Sequence, residues 1–226
     1  MKFKASAVIL TLSLVCMFSR VGLADNLTLS GVGGQSTDGE YVYPYLFTVT
    51  GPGGTDTLVN MSCLNFNREV SIGQSWSATP VDVATISSAS TIDGESGTDL
   101  IEDAYLYNQY AAAAAAGDAQ QISDLQFAIW YIMDPAINAG NTGGGYDANA
   151  ATLVQQAQTS ALPDQAAGDF ANDVAFIPSG YTSGEPQIFM TNPPPSAIAP
   201  EPTSLILLGT GLLSAVAFMR RRWAQR

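Results

Sequence analysis

Histidine is absent from all 226 residues, and with it goes the commonest general base, triad member and metal ligand. Basic residues are nearly as scarce away from the ends. Lys2, Lys4 and Arg20 precede residue 25, and Arg220, Arg221, Arg222 and Arg226 lie at the C-terminus, so Arg68 is the one cation between Asp25 and Ala199. That stretch holds 19 of the 20 acids and has a formal charge of −18. Nothing in it could neutralise phosphates, which excludes nucleic acid and anionic lipid as its partners. Cysteine is limited to Cys16 and Cys63, too few for a zinc site without histidine. The whole chain is 46% apolar and 12% charged, suited to one domain of ordinary size plus processing segments.

The ends carry addresses. Residues 1–24 read as a signal peptide: Lys2 and Lys4, an apolar run from Ala5 to Phe18, then Gly22-Leu23-Ala24 with small residues before the expected cut. At the other end, residues 192–202 form a Pro-rich linker containing Pro200-Glu201-Pro202, stiff and extended. Residues 203–219 are expected to be a transmembrane helix, and residues 220–226 a basic cytoplasmic tail. The uncharged part, Leu205 to Met219, rises about 22 Å as a helix, short of a ~30 Å layer unless Thr203 and Ser204 contribute.

This tail resembles the PEP-CTERM sorting signal: the Pro200-Glu201-Pro202 motif, one apolar helix, and the Arg220-Arg221-Arg222 anchor, in that order. The resemblance implies recognition and cutting by a membrane exosortase. It implies export by a Gram-negative bacterium that makes exopolysaccharide, transient anchoring in the inner membrane, and a final place at the cell surface or in the extracellular matrix. It says nothing of what the middle of the chain does.

That middle, residues 25–191, reads as α+β: an N-terminal antiparallel β-rich sandwich or barrel with a segregated helical part. Strands are expected at Asn26–Val32, Tyr41–Thr50 and Thr57–Leu64, with one or two more between Gly73 and Ile86 and Trp76 in the core. Gly33-Gly34 and Gly51–Gly54 read as turns; no Lys or helix follows the second, so it is not a phosphate loop. Asp99 and Glu102 have capping-box spacing for a helix from Ile101 to Ala116, stopped by Gly117, with Glu102 and Asp103 complementing the dipole. A second helix should open at Ser123 or Asp124 and end at Asp134-Pro135. A third, capped by Asp147, should run from Ala148 to about Ala161 and stop at Pro163. A last strand is expected at Gln187–Met190.

Loss of the signal peptide would leave Cys63 as the single cysteine, so no disulfide could form within the mature chain. A buried inert thiol, an intermolecular disulfide, a nucleophile and a cross-link to a group other than sulfur all remain open. A papain-like nucleophile lacks its histidine.

Leu125-Gln126-Phe127-Ala128-Ile129-Trp130 is similar to the glutamine motif of the bacterial thioester domains of surface adhesins, and Met61-Ser62-Cys63-Leu64 occupies the place of that family's cysteine motif. The helix carrying Ala104-Tyr105-Leu106 falls between them in the expected order. The likeness spans roughly Tyr41 to Ala161 and departs at Ser62, where an aromatic residue or Leu often precedes the cysteine. The resemblance implies an internal thioester between Cys63 and Gln126, formed with loss of ammonia, shielded from water by Trp130 and Tyr131, and captured by an amine or hydroxyl of a surface or matrix protein or polysaccharide. It implies no cofactor, no metal and no enzymatic turnover. Read from spacing alone, Gln126 is equally a capping-box residue accepting the Ser123 backbone N–H, and Cys63 a small buried hydrophobe.

Two other classes stay open. One is a noncovalent structural or glycan-binding matrix component, using tyrosine and tryptophan faces. The other is a hydrolase working with two carboxylates, for which no pair stands in a recognisable context. The Asp93–Asp99 cluster lacks the full calcium-loop pattern and reads as a solvated acidic turn.

Overall fold

The computed structural model describes residues 24–51, 53–92, 94–137, 143–179 and 186–192. Residues 1–23 of the signal peptide expected at 1–24, nearly all of the linker, Pro200, Glu201, Pro202, the transmembrane expectation and Arg220, Arg221 and Arg222 lie outside these residues.

Among the described residues, ten strands and four α-helices follow in chain order. The strands are β1 (Asp25–Val32), β2 (Ser36–Thr37), β3 (Glu40–Tyr41), β4 (Tyr45–Thr50), β5 (Asp56–Cys63), β6 (Ser75–Asp82), β7 (Thr91–Ile92), β8 (Glu95–Ser96), β9 (Val174–Pro178) and β10 (Phe189–Thr191). The helices are α1 (Gly97–Tyr107), α2 (Tyr110–Ala116), α3 (Ala119–Met133) and α4 (Ala148–Ala167). The fold class is α+β, as expected, and the sheet is a closed barrel in the order β1-β4-β5-β10-β9-β6, every pair antiparallel. Closure removes the sheet's exposed edges. In β1 the period-two pattern buries Leu27 and Leu29, while the outward Thr28 and Ser30 pair with Ser75 (2.7 Å) and Thr48 (2.8 Å) on the neighbouring strands.

β5 changes character along its length. Its first residues alternate, with Leu58 exposed and Val59 buried; from Met61 to Cys63 every residue is buried. The reason is the helical layer. Helices α1, α3 and α4 pack on one another, with α3 against β5 and α1 against β10. The end of β5 therefore lies between barrel interior and helices, where both faces are dry.

Several sequence expectations need correction. The span Tyr41–Thr50 is broken at Val42–Pro44, where the Tyr43–Pro44 bond is cis. The first helix begins at Gly97 with Ser96 as N-cap, its Oγ accepting the Asp99 N–H at 3.4 Å, one turn before the Asp99–Glu102 box. Glycine permits this start: a Cβ at Gly97 would lie 2.2 Å from the Ser87 carbonyl oxygen. Glu102 and Asp103 consequently sit in the second turn and face inward. The expected helix to Ala116 is two helices, parted at Asn108, whose side chain donates to Asp173 Oδ2 at 2.6 Å. The next starts at Ala119, capped by Asp118 (2.9 Å to the Gln121 N–H), so Ser123 is an interior residue and not a cap.

Pro163 does not stop α4, which runs on to Ala167 and is capped by Gly168. The proline removes only the bond to the Thr159 carbonyl, on a solvent-facing side where water can replace it. The last strand starts at Phe189. β9, a barrel strand the sequence reading did not expect, is buried along all five residues and so lacks the alternation that marks a half-buried strand.

Candidate functional site

The barrel and the helices bring together two residues separated by 62 others. Gln126, in the middle of α3 and fully buried, turns its carboxamide toward the end of β5 and donates from Nε2 to the Cys63 carbonyl oxygen at 2.6 Å. Its Oε1 accepts from Ser62 Oγ and from Tyr110 OH, each at 3.2 Å, and those two hydroxyls are 3.4 Å apart. The chemistry of the partners orients the amide. A backbone carbonyl only accepts, so the NH₂ group must face Cys63 and the oxygen the two hydroxyls. Gln126 makes no capping-box bond; an amide buried without partners costs about 1–3 kcal/mol, and these three bonds offset that cost.

Cys63 is a free and fully buried thiol whose Sγ donates to the Asn65 carbonyl oxygen at 3.3 Å. Burial pushes its pKa up to about 12, against lowering by the Trp130 side chain and the Asn65 bond. The indole Nε1 of Trp130 has no hydrogen bond of ordinary geometry among the described residues, so its influence on the sulfur is that of a nearby dipole rather than a formed bond. At neutral pH the sulfur is protonated and protected from casual oxidation.

The segment after Cys63 is pinned to the chain's last strand region. The Ile188 N–H donates to Asn65 Oδ1 and the Leu64 N–H to the Ile188 carbonyl, at 2.8 and 2.9 Å. Gln187 Nε2 donates to the carbonyls of Asn65, at 2.8 Å, and of Arg68. Phe189 stands opposite Cys63 across β10 and β5.

Aromatic rings wall the site. Trp130, 2% exposed, meets Phe66 and Phe127 edge-on at centroid separations of 5.0 Å each. On the other side Tyr110 stacks on Tyr43 at 4.2 Å, with Tyr107 edge-on to both. Tyr131 is only partly buried and stacks on Tyr146 at 4.4 Å. Its described ring contact is therefore with the loop before α4, while Phe66, Phe127, Tyr43 and Tyr110 are the unforeseen neighbours. Beside Phe66, a cleft of about 200 Å³ opens between Asn65, Arg68, Glu95, Met133 and Asp134.

Ser62 stood out in the sequence only as a departure from a motif, and Tyr110, a tyrosine beside an alanine run, did not stand out at all. Asp103, expected at a solvated helix start, is fully buried with neither carboxyl oxygen hydrogen-bonded among the described residues. Burial, then the charges of Asp99, Glu102 and Glu95, raise its pKa well above the ordinary carboxylate value.

Residues 199–222 match the PEP-CTERM protein-sorting motif. The chain is thus an exported protein with a C-terminal sorting signal, of the kind processed at the membrane by an exosortase in Gram-negative bacteria. No curated protein matches it in sequence. Among solved structures it is similar to the N-terminal domain of the Streptococcus pyogenes pilus tip adhesin Cpa, with 15% identity and a TM-score of 0.38, over 77% of this chain and 96% of that one.

Proposed function

We propose that this exported domain is a surface or matrix attachment module that joins itself covalently to a partner through an internal thioester between Cys63 and Gln126. The observation that carries the reading is the fully buried Gln126 carboxamide held on the Cys63 backbone at 2.6 Å. Glutamine is mostly a surface residue, and this one lies inside an apolar layer beside Cys63, the one thiol expected in the mature chain.

In the formation step, the Cys63 sulfur bonds to the Gln126 side-chain carbon, the carbon–nitrogen bond breaks, and the thiol proton leaves with the nitrogen as ammonia. An amide is a poor acyl donor, so the step depends on enforced proximity. Capture is the second step: an amine or hydroxyl of the partner bonds to the same carbon, and the sulfur leaves and regains a proton. The ring wall of Trp130, Phe66 and Phe127 keeps water from the acyl group until then. Each molecule reacts once, so the module is not an enzyme. Exosortase processing of the tail would bring it to the surface or matrix, where protein or polysaccharide nucleophiles are available.

Intact-mass measurement of the exported protein tests this. The wild type should be one ammonia lighter than its mature sequence, a deficit absent from Cys63→Ala and Gln126→Ala and turned by methylamine addition into an excess of one CH₂ group. A wild type of full mass whose thiol titrates freely once unfolded would end the proposal.

A further inference from the structure

The hydroxyls of Ser62 and Tyr110 converge on one atom. Each lies 3.2 Å from Gln126 Oε1, and both residues are buried. A carbonyl oxygen has two lone pairs, and each hydroxyl has one proton, so this triangle can satisfy the oxygen twice over. The distances carry further meaning. O–H···O bonds usually fall at 2.5–3.0 Å, roughly; both donors sit just beyond that range in the ground state. Attack at the Gln126 carbon would draw the electron pair onto Oε1 and lengthen the carbon–oxygen bond toward the hydroxyls. Donors that are long against a neutral carbonyl and close to ideal against an oxyanion stabilise the second selectively, which is the condition for accelerating a step rather than merely binding.

The nitrogen end is held in the complementary sense. Nε2 is already 2.6 Å from the Cys63 carbonyl, an acceptor that favours any added positive charge as this nitrogen gathers a proton and departs as ammonia.

Resting on the thioester reading, we infer that Ser62 and Tyr110 form the oxyanion site for both thioester formation and capture of the partner nucleophile. Both steps pass through a tetrahedral carbon bearing its charge on the same oxygen, so one pair of donors serves both. On this account Ser62, the position where the chain departs from the thioester-domain pattern, is catalytic: a Phe or Leu there would present no such donor from β5.

The test uses the full chain, exported and purified, as wild type, Ser62→Ala, Ser62→Thr and Tyr110→Phe. Two rates are read by intact mass: loss of ammonia on refolding of protein first unfolded in ammonia, which reopens any thioester to the Gln126 amide and the Cys63 thiol, and methylamine addition to the loaded fraction. Thermal melting of each variant reports folding separately. Losing one oxyanion donor costs about 10²–10³ in rate, so Ser62→Ala and Tyr110→Phe should slow both processes by about 10²-fold or more, with Ser62→Thr close to wild type. If Tyr110→Phe does not fold, the Ser62 pair decides. Folded Ala and Phe variants that load and capture at wild-type rates overturn the oxyanion assignment and leave the thioester standing. A well-folded Ser62→Thr as slow as Ser62→Ala also overturns it, showing a packing role. A wild type that keeps its ammonia overturns both.

Discussion

Asn65 and Ile188, 123 residues apart, are joined side chain to backbone: the Ile188 N–H donates to Asn65 Oδ1 at 2.8 Å. The bond ties the turn that follows Cys63 to the strand that closes the barrel beside it. It therefore sets where the sulfur sits relative to α3, because β5 alone would leave its end free to fray.

Asn65→Ala should lower stability by about 1–3 kcal/mol, the usual cost of stranding a buried donor. Denaturant unfolding would show it as a lower midpoint at unchanged slope. An unchanged midpoint would mean that the Gln187 bonds to the backbone carbonyls of Asn65 and Arg68 suffice to hold this turn.

Acid should stabilise the domain over a defined window. The Asp103 carboxyl is held well above its ordinary value of 3.8 by burial and by neighbouring acids, and burial plus Asp99 raise Glu102 to about 7. Between the unfolded and folded pKa values the native state binds more protons than the unfolded chain, so unfolding free energy falls as pH rises. Stability should be greatest near pH 4 and decline toward about pH 7 as these two groups come under pressure to ionise. Asp103→Asn should flatten that decline. Urea midpoints followed across the window check both statements, and a wild type that gains stability as pH rises would contradict them.

Gly145→Ala should damage the wall around the site without touching its polar groups. A Cβ there would stand 2.2 Å from the Phe127 ring, which packs edge-on to Trp130. An aromatic ring in a filled core cannot swing aside as a flexible chain end can, so overpacking should cost about 1–3 kcal/mol. If the thioester forms, its spontaneous hydrolysis should also quicken, measured as return of one water's mass in amine-free buffer.

Much of the architecture was legible because it is encoded locally. Leu27 and Leu29 alternate with polar residues, Asp147 caps α4 as its position suggests, with its Oδ1 2.8 Å from the Asn149 N–H, and Gly117 ends α2 in the left-handed conformation. Misreadings arose where a distant contact outweighed a local preference. Asp99 and Glu102 have capping-box spacing, yet Ser96 caps the helix because Gly97 fits under the Ser87 carbonyl. Ser123 and Gln126 have the same spacing, yet the stretch is mid-helix and the glutamine is claimed by β5. Val174–Pro178 carries no alternation because both its faces are covered.

The sequence by itself determined the sorting tail, the acidity of residues 25–199, the one cysteine among them and the order of strands before helices, since each depends on composition or on residues near one another in the chain. Only the tertiary structure decided that β9 and β10 return after the helices to close the barrel between β5 and β6, and that Ser62, Tyr110 and the Cys63 backbone all meet one carboxamide. Those contacts span from 16 to 64 positions. No local propensity extends that far; burial of the helical layer against the end of β5 brings them within hydrogen-bonding distance.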